Sequence, residues 1–298
     1  MKVLMTGDMG FVGTETKKVC ERDGIKVIGY DLMNGFDIRD AAQLAAIINH
    51  WKPDRILHLA AIARFSDADA DPMLANDTNV IGSINVAAAA GANHIPVIYA
   101  STGSVYMPVK ENPPITEHFR ACGNSVYGCT KYIGERYFVR CSAPYIILRY
   151  AHLYGREKRM HGLIGGFLDR INRGLAPTLY GGKQSNDFTY ICDVAEANVA
   201  ALKSPWDKWN HVYNIGTGEE LTAEAAGRLI CKTFDYAGKI DIRDQRTVDP
   251  DRFVFDCRKA EVMLGFKARY SFQQGLEHMT HEAGQELHDL ASRAIRAA

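Results

Sequence analysis

The 298-residue sequence carries no surplus charge: Lys and Arg total 35, and Asp and Glu total 35. Without a global positive field, neither a nucleic-acid nor an anionic-membrane partner is expected. No apolar run reaches the length of a membrane span. No leader with a basic and then an apolar stretch precedes the strand-like Lys2-Val3-Leu4-Met5-Thr6, so no signal peptide and a cytoplasmic location are expected. The seven cysteines (20, 122, 129, 141, 192, 231 and 257) contain no C-x-x-C, and an odd, scattered set reads as reduced thiols serving as small fillers. There is no H-E-x-x-H. His278 and His281 with Glu282 and His288 read as a solvated C-terminal helix, so no metal is expected. Repeats and low-complexity linkers are also missing. What remains is an ordinary globular composition, 47% hydrophobic and 23% charged, long enough to bury a core without staples.

Short apolar runs alternate with helix-length segments through the first half. Strands are expected at Val3–Thr6, Lys26–Tyr30, Arg55–Leu59, Val97–Ala100 and Tyr145–Tyr150. Helices are expected at Val12–Asp23, Asp40–His50, Asp71–Ala90 and Ser125–Arg140. This alternation predicts βαβ units, and hence an α/β doubly wound parallel sheet, the Rossmann arrangement. The later pattern is looser, with a helix near Leu163–Arg173, strands at Asp187–Ile191 and His211–Ile215, and helices at Ala223–Phe234 and Phe272–Leu287. The division expected is a sheet domain at 1–155 and a smaller C-terminal lobe at 156–298, with segments near 187–215 returning to the sheet.

Thr6-Gly7-Asp8-Met9-Gly10-Phe11-Val12-Gly13 lies between the first strand and the first helix and reads G-x-x-G-x-x-G. Glycines there permit a tight turn and let a pyrophosphate approach the backbone, while the helix N-terminus offers free N–H groups. Asp31 ends the second strand, where a carboxylate can accept bonds from both ribose hydroxyls of an adenosine and repel a 2′-phosphate. Leu32-Met33-Asn34-Gly35-Phe36 contains no Arg or Lys, so NAD is expected rather than NADP.

Tyr127-Gly128-Cys129-Thr130-Lys131 sets Tyr and Lys on one helix face. An ammonium beside the phenol is expected to favour the phenolate, and bringing a tyrosine from a pKa of about 10 to near 7 takes about 4 kcal/mol. Alone, Y-x-x-x-K is common on helix surfaces. Here Ser101-Thr102-Gly103-Ser104 follows the fourth strand, at the end that faces the ligand crevice, so a hydroxyl can reach the same substrate oxygen.

Taken in order, TGDMGFVG, Asp31, Phe36-Asp37-Ile38, His58-Leu59-Ala60-Ala61, Asn79-Val80, STGSVY and YGCTK resemble the extended short-chain dehydrogenase/reductases. Within them they resemble the NAD-dependent nucleotide-sugar epimerase/dehydratases. The resemblance runs from Lys2 to about Phe266. It implies catalytic roles for Thr102, Tyr127 and Lys131, with Tyr127 as base and Lys131 on the nicotinamide ribose. It implies NAD contacts from Gly7, Met9, Gly10, Phe11, Val12, Asp31, Asp37, Ile38, Leu59, Ala60, Ala61, Asn79 and Tyr150, with Asp37 and Ile38 at adenine. Substrate contacts would come from Ser101, Thr102, His152, Asn186 and Arg246, the last holding a nucleotide diphosphate. A homodimer through the 71–90 and 125–140 helices is also implied.

Two departures stand out. Asn186 occupies the place of the arginine usual before Asp187-Phe188, and His152 that of an asparagine. The cations Arg156, Lys158, Arg159 and His161 could supply the missing phosphate contact. A dehydratase would carry acids after Thr102, and Gly103 and Ser104 supply no general acid. A 4-epimerase needs the three catalytic residues, bound NAD and room to turn the sugar, which the small Gly103 and Ala151 are expected to leave. A reductase needs the same residues with an exchangeable cofactor and stays open. A non-catalytic NAD sensor would not need all three residues together.

Overall fold

The computed structural model describes residues 1–107, 114–156, 162–245 and 251–281. Six strands form one sheet: β1 (Lys2–Thr6), β2 (Lys26–Tyr30), β3 (Arg55–His58), β4 (Val97–Thr102), β5 (Tyr145–Tyr150) and β6 (His211–Ile215). All five neighbouring pairs run parallel, in the order β6-β5-β4-β3-β1-β2. Side chains alternate across the sheet. Val3, Met5, Leu57 and Ile98 pack into one layer, and Leu4, Ile56, Val97 and Tyr99 into the other. Burial on both faces is why these strands read as continuous apolar runs.

The first layer carries helix α1 (Phe11–Arg22), and the second carries α2 (Ala41–Trp51), α3 (Gly82–Asn93) and α4 (Val126–Arg140). Asp40 and Ser125 open α2 and α4 as N-caps, accepting from the amides of Gln43 and Gly128. The expected helix at 71–90 is a composite. Asp71 caps Pro72–Asn76, a π-helical turn follows at Asp77–Ile81, and α3 completes it. The wide turn leaves no mark in the periodicity. A short helix at Phe65–Ala70 precedes it, also without a clear pattern.

The chain returns to the sheet late. After β5, His152–Tyr154 pairs with Phe188–Tyr190. The expected strand at 187–191 is therefore shorter, because Ile191 already begins helix α5 (Ile191–Lys203), which packs on α1. The smaller lobe adds Ser185–Asn186 between Leu221–Thr222 and Arg252–Phe253, and a pair formed by Thr178–Tyr180 and Asp241–Arg243. Among the described residues no helix is long and apolar enough to cross a membrane.

Asp193 fastens the C-terminal segment. Its buried carboxylate accepts from the amides of Arg269 and Tyr270 at 3.0 and 3.1 Å, just before the helical residues 272–281. Asp193→Ala leaves both amides without an acceptor and should destabilise the fold by about 1–3 kcal/mol. Urea melts measure that loss, and hydrogen exchange should show residues 269–281 losing protection first. An unchanged midpoint would mean that the two amides find other acceptors at no cost.

Candidate functional site

The connection from β1 to β2 leaves in one direction and that from β2 to β3 crosses back, so the sheet reverses at the β1/β3 boundary. A crevice opens there at the carboxyl ends of the strands. Gly7 begins the loop over it with φ +70°, and a Cβ at Gly7 would lie 2.7 Å from the Ala60 nitrogen. A Cβ at Gly13 would lie 2.3 Å from the Gly7 carbonyl oxygen. These two glycines bring the loop, the start of α1 and Leu59-Ala60-Ala61 into one cradle that side chains would fill. Gly10 starts α1 without a side-chain cap, and Thr14 is the first amide bonded back, to Gly10 at 2.9 Å. The amides of Phe11, Val12 and Gly13 are thus presented to an anion.

Asp31 stands beside this loop. Its Oδ2 accepts from the Met9 amide at 3.1 Å and its Oδ1 from the Met33 amide at 2.9 Å. Each oxygen keeps lone pairs for ribose hydroxyls. Asp37 holds Arg39 at 2.5 Å, so the first cation after β2 is already paired. Ile38 is buried against Gly82. Asn79, fully buried in the π turn, donates to the Ile62 carbonyl and to Thr130 and accepts from the Ile62 amide. With those bonds made, it ties the loop after β3 to α4. The cradle, the uncapped helix start and the acid at its rim fit a dinucleotide.

The chemistry-bearing groups meet at the ends of β4 and β5. Thr102 donates to Ser104 at 3.2 Å, and the half-buried Tyr127 lies close enough to feel the Thr102 hydroxyl. Phe65, which the sequence reading passed over, packs edge-on against the Tyr127 ring with centroids 5.4 Å apart. Desolvation pushes the Tyr127 phenol up to about 12, opposed by the nearby Thr102 hydroxyl. Lys131 is 2% exposed, with Nζ 4.1 Å from the centroid of the Tyr99 ring. Burial brings its pKa down to about 7, opposed by Glu135, and Lys131 is not among the groups that shift Tyr127. The expected phenolate is therefore not formed by the chain alone. Dehydration is the dominant influence, and Tyr127 is held neutral.

Ser101 turns inward and donates to Glu135 at 2.5 Å. The Tyr150 hydroxyl donates to Asn198 at 2.6 Å, within the α5 packing. His152 is exposed at the cleft and has its ring edge-on to Phe253, centroids 5.1 Å apart. His152, Phe11 and Phe188 line a shallow cleft together with the start of the helix Gly162–Asn172. Asn186 sits in register with Phe253 and Leu221. Arg246 lies outside the described residues, as do Lys158, Arg159, His161, Glu282 and His288. His278 accepts or shares a hydrogen bond with Tyr190 at 2.9 Å, and among the described residues no metal-holding group of His, Cys, Asp or Glu forms.

The space expected beside Gly103 is occupied. A Cβ there would lie 2.2 Å from Cζ of Phe253 and 2.8 Å from Cζ of Phe255. Ala151 is likewise packed, in the cluster of Phe253 and Phe255. The small residues admit these rings rather than leaving a void. Phe253 thereby becomes a wall of the crevice, and its role was invisible without the long-range register.

The buried ammonium gives a pH signature. Lys131 falls from its usual 10.5 to about 7 on folding, so the unfolded chain holds a proton that the fold gives up. Stability should rise with pH between those values and feel the full penalty below about 7. Lys131→Met, without NAD, should be more stable than the wild type by about 2–4 kcal/mol at pH 7, the advantage shrinking toward pH 10. Denaturant melts across that range check it. A variant less stable than wild type at pH 7 would contradict it.

The family described as NAD dependent epimerase/dehydratase matches residues 3–216. A putative UDP-glucose 4-epimerase of Methanocaldococcus jannaschii is 30% identical, over 94% of this chain and 97% of the relative. UDP-glucuronic acid decarboxylase 1 of Xenopus tropicalis is 25% identical, over 98% of this chain and 74% of the relative. The crystal structure of UDP-glucose 4-epimerase from Thermotoga maritima with UDP-glucose superposes with a TM-score of 0.87, at 26% identity, over 96% of this chain and 100% of that one. The glycine cradle, the acid after β2 and the Thr102–Tyr127–Lys131 grouping agree with this likeness, and the cofactor of such proteins is NAD. The chain belongs to the NAD-dependent epimerase/dehydratase family of the extended short-chain dehydrogenase/reductases.

Proposed function

We propose that the protein is a nucleotide-sugar 4-epimerase acting through a transient keto sugar. The observation that carries this reading is the convergence of Thr102, at the end of β4, with Tyr127 and Lys131, one helical turn apart on α4, beside the glycine cradle. Gly7, Met9, Gly10, Phe11 and Val12 hold the pyrophosphate, Asp31 the adenosine ribose, and Asp37 and Ile38 the adenine edge. Bound NAD supplies a reversible hydride acceptor. Thr102 fixes the reacting hydroxyl, and Tyr127 removes its proton and later returns it. The chain alone holds Tyr127 as a phenol, and Lys131 together with the positive charge that bound NAD would bring would favour its ionisation. His152, Asn186 and Arg246 bind the substrate. Residues 1–155 hold the cofactor, and 156–298 form most of the substrate lobe. The UDP-sugar ligands of the relatives support this substrate class, and the absence of acids after Thr102 disfavours dehydration.

Incubation with a panel of UDP-sugars, followed by chromatography, tests the reading. The expected outcome is epimer formation with no net NADH and with deuterium at the reacting carbon retained. Tyr127→Phe should cut the rate about 10²–10⁴-fold. One NADH spent per product would establish a reductase instead, and carbon dioxide released from a uronic acid would establish a decarboxylase.

We also propose a homodimer through the 71–90 and 125–140 helices. Met73, Leu74, Ile81, Ile133 and Tyr137 expose apolar surface on these two packed segments. Ile133→Asp combined with Tyr137→Lys should convert a dimer to a monomer in sedimentation velocity. A wild-type monomer at micromolar concentration would refute the assembly.

A further inference from the structure

Lys131 stands where a charge is costly, and the groups around it can be named element by element. On α4 its neighbours are Tyr127, one turn before, and Glu135, one turn after. From β4 comes Tyr99, whose ring lies under Nζ and whose hydroxyl donates to the Lys131 carbonyl at 3.2 Å. From β3 comes His58, buried between Thr6 at 2.7 Å and Ser83 at 3.2 Å and held neutral by burial and by the Lys131 charge. From β5 comes Arg149, which reaches this neighbourhood through Glu135. The helical segment at 72–93 contributes the uncharged Asn79, bonded to Thr130 beside Lys131, and Ser83, bonded to Asn79. Among these described groups Glu135 is the one anion.

Glu135 is itself fixed in place. Arg149 grips it with two bonds, Nε to Oε1 at 2.9 Å and Nη2 to Oε2 at 2.6 Å, and Ser101 donates to Oε1 at 2.5 Å. Both charged side chains are buried. The guanidinium lies 4.7 Å from the centroid of the Tyr106 ring and also reaches the Glu117 carbonyl. A buried ion pair is weak evidence of a stability role, because apolar residues of similar volume often do as well. This pair instead fixes the orientation of the Glu135 carboxylate one turn from the only lysine of the proposed catalytic grouping.

We propose that Glu135, clamped by Arg149 and Ser101, is a positioning residue that keeps Lys131 charged in its dry site so that the ammonium can hold NAD. The carboxylate touches neither cofactor nor substrate and acts through Lys131. Coulombic attraction from Glu135 is the named influence that opposes the desolvation of Lys131. Ser101 serves the same end, since its hydroxyl is spent on Glu135. The proposal rests on the placing of Lys131 against the nicotinamide ribose under the proposed function.

The test separates the two. In the NAD-free protein, ζ-¹⁵N lysine resonances, assigned with Lys131→Met, report the Lys131 titration directly. Glu135→Gln should lower the Lys131 midpoint by about one pH unit. The double variant Glu135→Gln/Arg149→Met removes the stranded guanidinium charge and should fold where the single variant does not, with a lowered midpoint as well. Glu135→Asp should restore it toward the wild type. NAD affinity by calorimetry should fall severalfold at pH 7 in the lowered variants and recover toward pH 6 as Lys131 regains its proton. A folded variant whose Lys131 midpoint stays with the wild type overturns the proposal. A lowered midpoint with NAD affinity unchanged at every pH overturns the placing of Lys131 on the cofactor instead.

Discussion

The ammonium of Lys131, stripped of water beneath the crevice, constrains the centre of this fold. A lone charge in such a site would lose its proton or unfold its surroundings. The neighbourhood answers with what is available in a dry interior. Tyr99 offers a ring face, Glu135 an opposing charge, and Arg149 and Ser101 hold Glu135 in turn. The result is a lysine poised near neutrality rather than a permanently charged one. That poise links the core of the sheet–helix interface to the chemistry at its edge.

The cofactor cradle rests on a different principle, the close approach of backbones. Gly7, Gly13 and Ala60 meet at distances that admit no further side chain. A second chain of hydrogen bonds stiffens the cradle from below. The Ala60 amide donates to Thr6, Thr6 is bonded to His58, His58 to Ser83, and Ser83 donates to the Asn79 carbonyl. Asn79 then reaches Thr130, the residue before Lys131. The glycine loop and α4 are therefore joined through buried polar contacts as well as through the sheet.

The crevice is closed by residues far apart in the chain. Phe253 arrives from the small lobe and occupies the volume beside Gly103, edge-on to His152. Phe65 arrives from a one-turn helix and braces Tyr127. A phenol packed this way is kept in orientation and kept protonated by the same dehydration.

The sequence by itself determined the strands, because burial on both faces demands apolar runs, and it determined the glycine loop, because only glycine tolerates that turn and that proximity. It also aligned Tyr127 and Lys131, whose spacing is a property of any α-helix. Glu135 continues the same spacing and was legible in principle, yet its meaning depends on Arg149, fourteen residues on and across a strand. Tertiary structure alone decided the protonation of Tyr127 and Lys131, since desolvation is a property of the assembled interior and not of neighbours in the chain. It alone decided that Ser101 faces Glu135, that Asn79 sits in a π turn, and that Gly103 makes room for a phenylalanine rather than for a ligand. Each of those outcomes is set by which distant element arrives at the position, and local pattern carries no record of that.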